Sequence, residues 1–122
     1  MLEILPLKDK ILQESICIQC KAKYDASLLA YAAYSDGKPM GICQFSIRNG
    51  IGTLADLTSS SSTDDIFPLV LIGRAVLNFI DICGAHTVKC ENKNIDESLL
   101  CSIGFSKKAN GSFEIDLSET VD

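Results

Sequence analysis

The sequence is short of several things that particular functions require. It has a single histidine, His86, and no basic run longer than Lys107-Lys108. Contact with a nucleic acid backbone needs clustered lysine and arginine, and here 16 acids outweigh 11 bases for a formal net charge of −5, so nucleic acid is not an expected partner. No stretch approaches the roughly 20 uninterrupted apolar residues of a membrane span. The longest candidate, Ile66 to Ile80, is broken by Pro68, Gly73, Arg74 and Asn78, so no membrane partner is expected. Met1 to Lys10 lacks a charged start followed by an apolar run. No export signal is read there, and a cytoplasmic location is the expectation. A second CxxC pair is also missing, so Cys17 and Cys20 alone do not complete a zinc site.

What is present is the material of an ordinary folded domain. Hydrophobic residues make up 47% and charged residues 22% of 122 residues. A chain of this length buries roughly two-thirds of the surface it exposes when unfolded, enough for one core. Residues 1–122 are read as a single domain. The six cysteines, Cys17, Cys20, Cys43, Cys83, Cys90 and Cys101, are expected to be free thiols in a reducing compartment, packed as small apolar side chains.

Three turn dipeptides, Asp36-Gly37, Asn49-Gly50 and Asn110-Gly111, lie between segments rich in β-formers. The first two divide Leu28 to Leu57 into an antiparallel meander of three strands. Counting outward from Asn49-Gly50 pairs Ile47 with Gly52, Phe45 with Leu54 and Cys43 with Asp56. Gly41, Cys43, Phe45 and Ile47 then share one face, and Gln44, Ser46 and Arg48 share the other, which is expected to be wetter. Alternation likewise puts Tyr31 and Tyr34 on opposite faces. Counting from Asn110-Gly111 sets Lys107 opposite Glu114 and Ser106 opposite Ile115 in a last hairpin.

Helical spacing appears in two places. Asp9 to about Lys21 predicts a helix with Ile11, Leu12, Ile16 and Cys20 inward. Pro68 to Cys83 predicts a longer one, with Leu69, Ile72, Val76, Phe79, Ile80 and Cys83 recurring and Gly84 as its stop. Gly73, costly in a helix by about 1 kcal/mol relative to alanine, suggests close packing on the sheet. His86 to Cys90 reads as a strand, and Asn94 to Glu97 as a helix start capped by Asn94, ending near Gly104. A short strand at Glu3 to Leu5 opens the chain. A strand reached from the meander through a long helix lies parallel to its neighbour, which makes a mixed sheet.

This order, β-α-β-β-β-α-β-α-β-β in an α/β (α+β mixed sheet) arrangement, resembles the GNAT superfamily of acetyl-CoA-dependent N-acetyltransferases over nearly the whole chain. Three stretches carry the resemblance: Tyr34 to Ile42 with its turn and following glycine, Ile80 to Ala85 closing a long helix on glycine, and Glu97 to Phe105 ending in Gly-Phe. The resemblance implies acetyl-CoA as cofactor and a small-molecule or peptide amine as partner, with a homodimer allowed for. It also implies that the coenzyme enters between the fourth and fifth strands, with its diphosphate on the loop before the long helix. That places cofactor contacts at Leu57, Ser59, Ser60, Ser61, Ser62, Thr63 and Asn94.

Here the loop, Thr58 to Leu69, has no glycine and no base, and Asp64 and Asp65 stand where the family places the diphosphate. Two readings stay open: Ser62 to Asp65 as a helix-capping sequence, or Ser59 to Thr63 as hydroxyl donors to a phosphate. Leu100 occupies the position of the family's frequent acid, a tyrosine. General bases vary in the family, and the candidates here are Asp56 on the fourth strand and Glu91 after the fifth. A binding module that keeps the fold without the chemistry is the alternative expectation.

Overall fold

The meander is set by its turns. Asp36 and Gly37 take φ of 50° and 82°, and Asn49 and Gly50 take 53° and 76°, the doubly positive pattern of a two-residue hairpin loop. The computed structural model describes residues 1–60 and 65–119. The chain runs β1 (Leu2–Pro6), α1 (Lys10–Gln19), β2 (Leu29–Ser35), β3 (Lys38–Arg48), β4 (Ile51–Leu54), β5 (Thr58–Ser59), α2 (Phe67–Ile82), β6 (Thr87–Cys90), α3 (Glu97–Ile103), β7 (Ser106–Lys107), β8 (Phe113–Asp116) and a 3₁₀ turn at Leu117–Glu119. The short β5 and the closing 3₁₀ turn add to the order read from the sequence. The strands form one mixed sheet in the order β1-β2-β3-β4-β6-β8-β7, with β5 pairing back onto β3. The crossover through α2 makes β6 parallel to β4, as expected, with Leu54 beside Cys90 at the end of the ladder.

Both faces of the sheet are covered. One carries α2 and α3 over a core that includes Cys43, Phe45, Leu54, Ile72, Val76 and Ile80. The other carries α1 over Ala30, Ala32 and Ile42, with Ile16, Cys17 and Cys20 from the helix side. Tyr31 joins the first core, where its ring meets Phe45 and Phe79, and Tyr34 joins the second. Among the described residues no helix is long and apolar enough to cross a membrane.

Several expectations are corrected. The inward face of α1 is Gln13, Ile16, Cys17 and Cys20, not one led by Ile11 and Leu12, which are 81% and 41% exposed. Residues 13, 16, 17 and 20 follow the same helical spacing, but the first of them is polar, and a count of apolar positions passes over it. For the same reason the Gln44 face is dry where α1 covers it: Ile42 and Gln44 are fully buried, whereas Ser46 is half-buried and Arg48 exposed, as expected. Cys83, at the end of α2, is exposed.

Gly73 is tight against α3 and not the sheet, since a β-carbon there would stand 2.5 Å from Ile103 Cδ1. The residue preceding α3 is Asp96, whose side chain makes no capping hydrogen bond; the Asn94 N–H instead donates to Asn92 Oδ1. In the last hairpin Ser106 lies opposite Glu114 and Lys107 opposite Phe113, one residue out from the expected register. Its loop is longer than two residues: the Lys108 N–H donates to Ser112 O, and only Gly111, at φ 90°, takes the positive angle.

Candidate functional site

The site begins with an irregularity just past β4, between Leu54 and Thr58. Phe45 faces Leu54, but four residues back along β3 Gly41 faces Ser59, five residues on, so one extra residue is accommodated between them. Such a bulge bends its strand and re-aims side chains. Here the N–H groups of Ala55 and Asp56 both point at Gln44 O, at 2.8 and 3.4 Å. Asp56 therefore meets Gln44 and not Cys43, which corrects the register drawn from the turn.

At the same level the parallel ladder of β4 and β6 stops, and the chain beyond Leu54 turns back toward β3. Ala55 O, left without a ladder partner, accepts the Asn92 side-chain N–H at 2.7 Å. A groove of ≈ 830 Å³ lies where the two strands part. Its walls are most of segment 21–28 after α1, Ala55, Asp56 and Thr58 after β4, and Asn92 and Asn94 after β6.

Asp56 is 8% exposed in this groove. Both its oxygens are held: Oδ1 accepts the Gln44 N–H at 2.8 Å, and Oδ2 accepts Gln44 Nε2 at 2.6 Å. Burial pushes the carboxyl up from the ordinary carboxylate range, and the two Gln44 bonds pull it back part of the way. Beneath the groove, burial first and the Asp56 charge second push the Cys17 and Cys20 thiols up to about 11. Thiols so placed are not nucleophiles at neutral pH. All six cysteines are free, and among the described residues no cluster of His, Cys, Asp and Glu is suited to a metal ion.

The other carboxylate candidate is elsewhere. Glu91 is exposed and lines a smaller cavity of ≈ 210 Å³ together with Leu100, Lys107 and Phe113. Asn92 borders both spaces, so the two candidate bases flank it and are not brought together. Leu100 is buried. His86 lines neither space and pairs with Asp81 at 2.8 Å on the surface. Tyr24 stands in the groove wall and packs against the α1 core. Gln13, Gln44 and Asn92 were not singled out from the sequence. Their signal is weak there: a glutamine inside a helical or strand pattern, and an asparagine just past a strand.

The expected cofactor residues fall in three groups. Leu57 is buried in the main core, and Asn94 lines the groove. Ser59 and Ser60 turn their hydroxyls toward β3, donating to Met40 O at 3.4 Å and Pro39 O at 2.7 Å. Ser61, Ser62, Thr63 and also Asp64 lie outside the described residues. At the start of α2, Asp65 Oδ1 accepts the Phe67 N–H at 3.0 Å, so a carboxylate already engages a first-turn donor that a diphosphate would use. Pro68 removes another N–H. The described residues of this region therefore do not fit a diphosphate cradle.

No protein-family model matches the sequence, and no curated protein does. Solved structures match in shape. The IAA acetyltransferase of Bacillus cereus superposes with TM-score 0.76 at 12% identity, over 96% of this chain and 100% of that one. The ribosomal-protein-S18-alanine N-acetyltransferase of Escherichia coli does so with TM-score 0.73 at 12% identity, over 100% and 97%. A Bacillus subtilis acetyltransferase in complex with CoA gives TM-score 0.72 at 16% identity, over 96% and 99%. The chain therefore has the fold of the GNAT acetyltransferases.

Proposed function

We propose that the protein is an N-acyltransferase that takes a primary amine, of a small molecule or a peptide, in the groove where β4 and β6 part, with an acyl-CoA as donor. Asp56 is the proton acceptor. The observation that carries this reading is a buried carboxylate at the groove wall with both oxygens fixed by one neighbour. An amine arriving as an ammonium ion is drawn to that carboxylate and becomes nucleophilic once its proton passes to Asp56, whose raised pKa suits it as a base. Glu91, in the separate cavity, has no part in this step. Because the described phosphate region does not fit the diphosphate, the grip on the donor is expected to be weak.

The test is acylation of a panel of amines with acetyl-CoA, followed by mass spectrometry. Asp56→Asn is expected to lower the rate by about 10²- to 10⁴-fold, and Glu91→Gln to leave it unchanged. Absence of transfer to every amine, together with no thermal shift in millimolar acetyl-CoA, would sink the reading.

A second reading, a binding module on the same scaffold, is favoured by Leu100, a side chain unable to donate a proton, and by the Asp65 contact on α2. Amine binding in the groove without transfer from any acyl thioester is its signature.

A further inference from the structure

We propose that Lys10, Gln13 and Gln44 form a one-way hydrogen-bond relay that positions Asp56, so that α1 sets the direction from which Asp56 accepts a proton. The proposal rests on the reading of Asp56 as proton acceptor, but its test does not depend on finding a substrate.

The relay's direction follows from groups of fixed polarity. The Lys10 ammonium can only donate, and it reaches Gln13 Oε1 at 3.1 Å and Leu28 O at 2.5 Å. Gln13 must therefore present its amide nitrogen onward, where Nε2 donates to Gln44 Oε1 at 2.9 Å. That oxygen also accepts the Asp25 N–H at 3.2 Å, a second donor that cannot be reversed. Gln44 Nε2 is left facing two acceptors, Lys23 O at 2.8 Å and Asp56 Oδ2 at 2.6 Å. A flip of either amide would set like against like at several contacts at once.

Both glutamines are fully buried, where an unsatisfied polar group is costly, so the chain holds as a unit. Gln44 donates to both Asp56 oxygens, so neither oxygen can carry a proton pointing at Gln44. A proton taken up by Asp56 must sit on the side that opens into the groove.

The other charged or titratable neighbours do not duplicate this hold. Cys17 and Cys20 from α1 and Cys43 from β3 lie close enough for Asp56 to raise their pKa, and they supply no cation. Lys21, Lys23, Tyr24 and Asp25 share the groove wall, yet among the described residues no ion pair reaches Asp56.

The experiment is a carboxyl-carbon NMR titration of the full chain, with the Asp56 signal assigned by its loss in Asp56→Asn. Gln13→Leu removes one of the two donors on Gln44 Oε1 and leaves the Asp25 N–H as the other, so Gln44 is held less firmly and the Asp56 midpoint is expected to rise by roughly half a unit. Lys10→Met, at the surface end, carries the test if Gln13→Leu does not fold. It is expected to give a smaller rise that is reversed by Lys10→Arg and persists in 0.5 M salt, where the part of any charge effect carried through solvent is screened. Where an acylated amine is found, the alkaline shift appears in the kcat profile with KM unchanged. An Asp56 midpoint that stays put in folded Gln13→Leu, or in folded Lys10→Met at high salt, overturns the relay. A midpoint that moves in a protein that acylates nothing upholds the relay and removes the proposed activity.

Discussion

Gly73 of α2 and Ile103 of α3 are packed so closely that a β-carbon on the glycine would stand 2.5 Å from Cδ1, 2.9 Å from Cγ1 and 3.3 Å from Cγ2 of the isoleucine. Three atoms of a branched side chain cannot all retreat. Gly73→Ala is therefore expected to destabilise the protein by about 1–3 kcal/mol despite alanine's better helix propensity. Urea denaturation checks this. Adding Ile103→Val should recover part of the loss, a non-additivity that marks direct contact.

The inward face of α1 is equally testable. Ile16 is fully buried and Ile18, two residues on, is 72% exposed. Ile16→Ala should cost about 2–5 kcal/mol, and Ile18→Ala no more than about 0.5 kcal/mol. Equal losses on denaturation would mean that the helix is rotated from the orientation described.

The buried thiols give a pH dependence with a definite sign. Cys17 and Cys20 titrate near 9 when exposed and near 11 in the folded chain. Between those values the native protein holds protons that the unfolded chain has released, so stability falls as pH rises from about 9 to 11 and levels off above. A Cys17→Ala, Cys20→Ala double variant should flatten that slope in thermal melts across this range. At pH 7.5, a maleimide should label exposed Cys83 and Cys101 rapidly and reach Cys17, Cys20, Cys43 and Cys90 only on unfolding.

Much of the frame was legible because it rests on strong local rules. Asp36-Gly37 and Asn49-Gly50 demand positive φ at both positions and so fix the register of the meander near them. Asn110-Gly111 looks alike but sits in a longer loop with only one such residue, and the register slipped by one. Asp56 was legible as a carboxylate near the end of a strand. Its setting was not, because the bulge that turns it onto Gln44 leaves no mark of composition. The burial of Gln13 and Gln44 escaped notice for a related reason: they satisfy each other in part through a hydrogen bond across 31 positions, which no local pattern reveals.

An acyl-CoA donor is expected to gain little from its diphosphate here, because Asp65 already engages the Phe67 N–H and Pro68 supplies none. Calorimetric titration of acetyl-CoA beside S-acetyl-pantetheine, which lacks the nucleotide diphosphate, tests it directly. Dissociation constants within about tenfold of each other, a difference of no more than about 1.4 kcal/mol, are the result expected. Acetyl-CoA binding a hundredfold or more tighter than the truncated thioester, or neither binding at all, would contradict the account.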